Sequence, residues 1–299
     1  MVPTASSAPS PKNFTAAFAK SPAHRRRSVA HFNGSLARAR RGLGFWVECA
    51  GEVVMPELLE LPELLKEQQG LVWGNERVIV VDKPPGWLSV PSRMGAQDER
   101  PCLGRVWEAR LGCRLWPVHR LDVEVGGLVL FAKDAEAHRL LCEGFESHTV
   151  EKTYLAWTAG QGEPVLGQTE TWRTRLLRGK KRAYVHPQGK EAVTVATALW
   201  RVQGFWLWRL QPRTGRPHQL RVELSRRGQP IVGDGLYGSG VPFGEGIALR
   251  AVRLSFEAVA SRGSLGLPDA VGLSPATEGL VAFGKTWFAS GTVQDAHVG

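Results

Sequence analysis

The sequence predicts an α+β domain organised around a mostly antiparallel or mixed sheet. Strand-like segments outnumber helical ones, and the two kinds do not alternate regularly, which disfavours a doubly wound parallel fold. Core material is ample: of 299 residues, 43% are hydrophobic, with eleven Trp and eleven Phe among them. A chain of this size holds one large domain or two small ones.

Residues 1–46 form a basic leader rich in Ser, Ala, Pro and Arg, with eight Lys/Arg and no acid before Glu48. The formal charge of +10 therefore leaves +2 for the rest of the chain, so a basic pI by itself points only weakly to nucleic acid. The leader reads as a disordered basic arm that helps hold RNA, as an Arg-rich transit-like segment, or as a stretch of little structural consequence. Residues 47–73 read as a short helical connector. There "PELLELPELLK", Pro56 to Lys66, spaces Leu at helical intervals and is broken by Pro62. The main domain is expected over 74–299.

Within it, "RVIVVDK" from Arg77 is an apolar strand, and Lys83-Pro84-Pro85-Gly86 is a sharp turn into a further extended piece. "GLVLFAK", Gly127 to Lys133, is a buried strand. "DAEAHRLLCEGFESHTV" places Leu140, Leu141 and Phe145 on one helical face with Asp134 as N-cap. "KTYLAW", "AVTVATALWRV", "FWLWRLQP" and "ALRAVRLSF" read as strands. "RPHQLRVELSRRG" reads as a second helix, with Pro217 in its first turn and Gly228 at its C-terminal end. "GLVAFGKTWFA", Gly279 to Ala289, is expected as a last edge strand.

Several function classes recede. No run of about 18 apolar residues suggests a membrane span. Cys49, Cys102, Cys113 and Cys142 are scattered without C-x-x-C, and no His grouping has metal-ligand spacing, so neither a disulfide framework nor a bound metal is expected. "GDGLYG", Gly233 to Gly238, matches G-x-G-x-x-G, but "SGVPFGEG" follows it where a dinucleotide fold needs a helix, so it is read as a turn.

Two stretches carry candidate chemistry. "PVHRLDVEVGGLVLFAK" sets His119, Arg120 and Asp122 just ahead of a buried strand. Alone, it reads as a polar turn whose acid caps backbone amides, or as a carboxylate held on rigid structure beside positive charge. "QPRTGRPHQLRVEL" gathers Arg213, Arg216, His218, Gln219 and Arg221 at a Gly-containing turn before a helix. It reads as a solvated basic turn or as a phosphate-binding helix start.

Taken together, "DKPPGWLSVPS", "PVHRLDxxxGGLVLFAK", "EKTYLAW", "GK-AVT" and "RTGRPHQLRVEL…GQPIVGDGLYG", in this order and at these separations, resemble the RluA-type pseudouridine synthase family. The likeness runs from about Gly74 to Phe256. It implies a catalytic domain with a central, largely antiparallel bent sheet flanked by helices and loops. It further implies isomerisation of uridine to pseudouridine in structured RNA, rRNA or tRNA, with no metal or organic cofactor. The resemblance makes Asp122 the catalytic nucleophile or base in a pocket that receives a flipped base. It places Tyr154 against that base and Arg221 beside the carboxylate. His119, Arg120, Arg213, Arg216, His218 and Gln219 become RNA contacts or cleft walls. Asp82 and Lys83 shape a nearby loop, and Asp234 is a structural hydrogen-bonding acid. RNA is the expected partner of a monomer with no membrane association. The expected location is the cytoplasm, or an organelle if residues 1–46 are a transit segment.

The chain departs from the family pattern in places. Val125-Gly126-Gly127 stands where Thr-Ser-Gly is common, Pro217 where Thr is usual and Glu223 where His is common. Glu124 is an extra carboxylate two residues beyond Asp122; in an extended segment it would share a side with the catalytic acid. Two other functions compete with the synthase: a non-catalytic RNA-binding or ribosome-assembly factor on the same scaffold, and a glycoside hydrolase using Asp122 and Glu124. For the latter, two acids this close on one segment are poorly placed to face each other across a sugar.

Overall fold

A computed structural model describes residues 70–273 except Met94. The leader, the helix expected over 56–66 and the edge strand expected over 279–289 lie outside the described residues. In chain order the strands and helices are β1 (Leu71–Gly74), β2 (Val78–Lys83), α1 (Leu103–Leu111), β3 (Trp116–Pro117), β4 (Gly126–Ala132), α2 (Ala135–Glu146), β5 (Glu151–Ala159), β6 (Thr169–Arg178), β7 (Ala183–Val185), β8 (Lys190–Val202), β9 (Phe205–Pro212), α3 (Gln219–Ser225), β10 (Leu249–Ser255) and β11 (Ala270–Gly272).

One mixed sheet runs in the order β1-β2-β4-β10-β5-β9-β8-β6-β7, with β3 added to β4 and β11 to β10. Each pairing is antiparallel except β4 with β10, which is parallel through Arg250–Gly126 and Ala251–Gly127. This is the α+β architecture that the balance of strands and helices predicts.

Both faces of the sheet are covered near β4, which explains its unbroken apolar run. Val129 and Phe131 join Leu103 and Trp107 of α1 in one core cluster. Leu128 and Leu130 point the other way, onto Leu141 of α2 and Leu254. Helix α2 starts as expected: the Asp134 side chain accepts the Ala137 amide at 2.7 Å, and Arg77 grips the same carboxylate with two bonds of 2.9 Å.

The second helix is shorter than its sequence suggests. α3 begins at Gln219, so Pro217 lies ahead of the helix rather than in its first turn, and His218 is the capping residue, in left-handed backbone. Gln219 to Leu224 are all buried. Of the two readings of this stretch, a phosphate-binding helix start is disfavoured, because the helix has seven residues and six of them are buried.

The parallel step between β4 and β10 depends on Gly127. Its φ is +112°, and a Cβ there would stand 2.2 Å from the Ala251 carbonyl oxygen. Neither backbone can retreat without breaking the sheet beneath the loop that leads into β4. Gly127→Ala is expected to destabilise the fold by more than about 2 kcal/mol. That corresponds to a fall of at least about 4 °C in melting temperature for a domain of this size. An unchanged thermal melt would refute the close-approach account.

Candidate active site

The residues from Val118 to Val125 cross from β3 to β4 as a loop whose main chain is held at almost every step. Ser89, buried behind it, both accepts the Leu121 amide and donates to the Leu121 carbonyl, each at 3.1 Å. The Val123 carbonyl accepts the Gly86 amide at 2.8 Å, and the Glu124 carbonyl accepts the Ile247 amide at 3.1 Å. Gly246, at φ +77°, makes that last approach possible, since a Cβ there would fall 2.2 Å from the Glu124 carbonyl oxygen.

Lys83 supplies the deepest anchor. It is fully buried, and its Nζ donates to the carbonyls of Pro84, Trp87 and Val123 at 2.9, 2.8 and 3.1 Å. The ammonium has one N–H for each carbonyl. Burial pushes its pKa down to about 8, against the pull of Glu124, Asp122 and Asp82.

Held in this way, Asp122 presents a half-exposed carboxylate to an open cleft of about 530 Å³. Arg221 on α3 reaches it from below, with Nη1 3.5 Å from Asp122 Oδ2. The tighter partner of Arg221 is Asp234. Its two oxygens accept Nε and Nη2 at 2.7 and 2.9 Å, with both side chains almost wholly buried. Burial works against the guanidinium, but the bonds and charge of Asp234, together with Glu124 and Asp122, push its pKa above the usual arginine value. Arg221 is a fixed cation at neutral pH.

Glu124 also arrives here. The loop is turned rather than extended, with the Val125 amide closing on the Asp122 carbonyl at 3.1 Å. Even so, Glu124 Oε2 lies 3.3 Å from the same Nη1. Two carboxylates therefore share one arginine nitrogen.

Tyr154 on β5 lines the cleft, paired in register with Leu210 of β9 and Ala251 of β10. Burial, and then the charge of Asp122, raise its pKa, so the phenol stays protonated. His218 stands across from Asp122, with Nε2 3.9 Å from Oδ2. Arg120 and Arg216 also line the cleft, the latter donating Nε to the Glu191 carbonyl at 2.7 Å.

The other three residues expected as RNA contacts or cleft walls differ in their surroundings. Gln219 is buried, and its amide is saturated. The oxygen accepts Thr214 Oγ1 and the Arg216 amide, and the nitrogen donates to the Val193 carbonyl and Thr194 Oγ1. No capacity remains for RNA, so the contact is corrected to a structural tie between the β9–α3 turn and β8. His119 is on the cleft wall, but its Nε2 accepts the Leu130 amide at 3.1 Å and its ring stacks on Phe145 at 4.8 Å. Burial holds its pKa down at about 3, so it is a neutral wall residue. Arg213 lies outside the cleft lining and is ion-paired with Glu151.

Sequence reasoning missed one large feature beside the cleft. β6 and β7 form an edge hairpin on which Arg173, Arg175, Lys180, Lys181 and Arg182 are exposed, with Arg178 on the cleft wall. The signal was present in "WRTRLLRGKKR", but acids elsewhere balance it in the domain's net charge.

Comparison with known proteins places both the sequence and the fold of the described residues. The family model for RNA pseudouridylate synthase matches residues 77–226. The dual-specificity RNA pseudouridine synthase RluA of Vibrio vulnificus is 33% identical over 198 residues, covering 62% of this chain and 76% of that one. The tRNA pseudouridine synthase C of Vibrio cholerae is 28% identical, covering 57% and 75%. Human RNA pseudouridylate synthase domain containing 4 shares the fold, with a TM-score of 0.56 at 21% identity over 72% of this chain and 92% of that one. The chain belongs to the RNA pseudouridine synthases, in the RluA family.

Lys83 provides a test of the loop anchor. With a folded pKa of about 8 against 10.5 for the ordinary group, the unfolded chain holds the extra proton between those values, so stability from this group rises with pH there. The wild type should gain on Lys83→Met across that window, at up to about 1.4 kcal/mol per pH unit. Urea unfolding of both proteins measures it. Parallel pH dependences would refute the buried titration.

Proposed function

We propose that this synthase receives a uridine flipped out of structured rRNA or tRNA into the cleft, and that Asp122 acts on its sugar. The observation that carries the reading is the geometry at Asp122. Its carboxylate is fixed through its backbone, open to the cleft, and faced by the permanently charged Arg221 at 3.5 Å. A carboxylate in a partly dry site tends to become neutral, and a neighbouring cation opposes that.

The reaction breaks the bond from C1′ to N1 and joins C1′ to C5. As a nucleophile, the Asp122 carboxylate forms an ester bond to C1′ while the electron pair of the C1′–N1 bond leaves with the uracil. The uracil turns, C5 attacks C1′, and the ester electrons return to Asp122. As a base, the carboxylate instead removes the C2′ proton as the C1′–N1 bond breaks, leaving a C1′=C2′ glycal; the protonated acid then returns that proton to C2′ while C5 bonds to C1′. Either route needs the ionised acid. In both, the C5 proton is lost and N1 gains one. Tyr154, protonated and flat beside the cleft, supports the ring, and its hydroxyl takes up the C5 proton only as it passes its own proton on to solvent, a relay that leaves it neutral.

The basic hairpin β6–β7 is the surface for the RNA backbone. Phosphate contacts give affinity and salt dependence without sequence choice. Arg120, Lys152, Arg178 and Arg216 on the cleft walls extend that basic surface toward Asp122.

Tritium release from C5-labelled uridine tests the reading, with total RNA from a source lacking the enzyme and then with its tRNA and rRNA fractions. Wild type should release tritium and Asp122→Asn should release none; release by the variant would sink the assignment. Replacing Lys180, Lys181 and Arg182 by Ala should weaken RNA binding and flatten log K against log salt by roughly 0.7 to 0.9 for each phosphate the variant no longer neutralises. An unchanged salt slope would remove the hairpin from the RNA interface.

A further inference from the structure

Tyr237 takes no part in the reaction described above, yet its hydroxyl stands where three elements meet. The side chain is buried, and its ring lies 5.2 Å from the Arg221 guanidinium. Its carbonyl accepts Ser225 Oγ at 2.7 Å, pinning the turn Gly235–Tyr237 to the end of α3. The hydroxyl accepts the Ala183 amide at 2.9 Å and lies 3.1 Å from the Ala183 carbonyl, at the start of β7. Its third neighbour, at 2.9 Å, is Nδ1 of His218. The other nitrogen of that ring, Nε2, is the one that faces Asp122 Oδ2 at 3.9 Å.

A phenol has one proton and two lone pairs, and the Ala183 amide occupies one lone pair. The proton then goes to the Ala183 carbonyl or to His218 Nδ1. Burial holds the His218 pKa below its usual value, with Arg221 acting in the same direction and Asp122, Glu124 and Asp234 opposing. The ring is therefore neutral near pH 7 and carries a single N–H. If the hydroxyl donates to Nδ1, that N–H is on Nε2 and points at the carboxylate. If it does not, Nε2 turns a lone pair toward a negative oxygen. The charge of Asp122 selects the first arrangement.

Two further observations support a built arrangement. His218 adopts φ 51° and ψ 24°, a region non-glycine residues rarely occupy, and such strain persists where the surroundings over-determine it. Arg221 Nη1 and His218 Nε2 also converge on the same oxygen of Asp122, Oδ2.

We propose that Tyr237 is a positioning residue. Its hydroxyl sets His218 in the Nε2–H tautomer, which with Arg221 fixes Oδ2 of Asp122 and leaves Oδ1 for the sugar. This rests on the reading of Asp122 as the acting carboxylate. The same hydroxyl also bonds Ala183 at the start of β7, a strand that β6 holds independently through three paired positions.

The test uses the full chain in excess over total RNA carrying C5-tritiated uridine, under single-turnover conditions. Tyr237→Phe keeps the ring and removes only the hydroxyl. It should lower the maximal rate by about 10-fold or more, with the Kd for RNA changed by less than about 3-fold. His218→Gln offers Asp122 an amide N–H that needs no tautomer choice, so adding Tyr237→Phe to it should cost less than about 2-fold. A wild-type rate in Tyr237→Phe, or an equal cost in both backgrounds, overturns the proposal. If Tyr237→Phe melts early, His218→Asn, which suits left-handed backbone, should reproduce the rate loss; a wild-type rate there is equally fatal. Asp122→Asn runs alongside. Activity in that variant removes the underlying reading, whereas its loss beside an active Tyr237→Phe removes this inference alone.

Discussion

The site depends on one buried ion pair. Arg221 and Asp234 are almost wholly shielded from water and meet through two bonds of 2.7 and 2.9 Å. Burying both charges is costly, and removing either partner of such a pair typically costs about 3–5 kcal/mol because the survivor stays buried. The bidentate grip occupies Nε and Nη2 and leaves Nη1 directed at Asp122 and Glu124. α3 has seven residues, most of them buried. It delivers this one cation to the floor of the cleft, and the turn carrying Asp234 locks it there.

The acid is immobilised by a different means. Arg221 and His218 approach its carboxylate only at 3.5 and 3.9 Å, while the peptide groups around it are tied to Ser89, Gly86, Lys83 and Ile247. The rigidity of the loop therefore sits in the main chain, while Arg221 and His218 face a single carboxylate oxygen, Oδ2. Glu124 adds a second negative charge at the same guanidinium nitrogen. The cleft lining sets Arg120, Lys152, Arg178, Arg216 and Arg221 against Asp122 and Glu146, so positive charge runs from the β6–β7 rim into the cleft.

Much of this was readable from the chain. The apolar runs of β2, β4 and β9 and the Asp134 cap of α2 announced themselves through composition and spacing. α1 did not: Cys102 precedes it without a side-chain cap bond, and it is nine residues long. β6 was hidden because only Trp172, Thr174 and Leu176 of its ten residues turn inward, and the rest read as polar loop. At the site, Asp122, Tyr154 and Arg221 were nominated by motif, and the cleft gathers all three. The saturation of Gln219 was not legible, since its partners Val193 and Thr194 lie 25 or more residues away. Nor was the anchoring of Val123 by Lys83, forty residues apart. Such facts belong to tertiary structure, which local pattern does not encode.

The parallel step between β4 and β10 has a consequence for biosynthesis. β4 ends at Ala132, but the strand that braces it begins at Leu249, and the amide that receives the Glu124 carbonyl belongs to Ile247. A nascent chain holding Asp122, Tyr154 and even Arg221 still lacks the clamp that aims them. Such long-range closure comes late in folding, because the loop must be closed before its contacts repay the lost entropy. The geometry of this cleft is thus complete only once the chain has been made as far as β10.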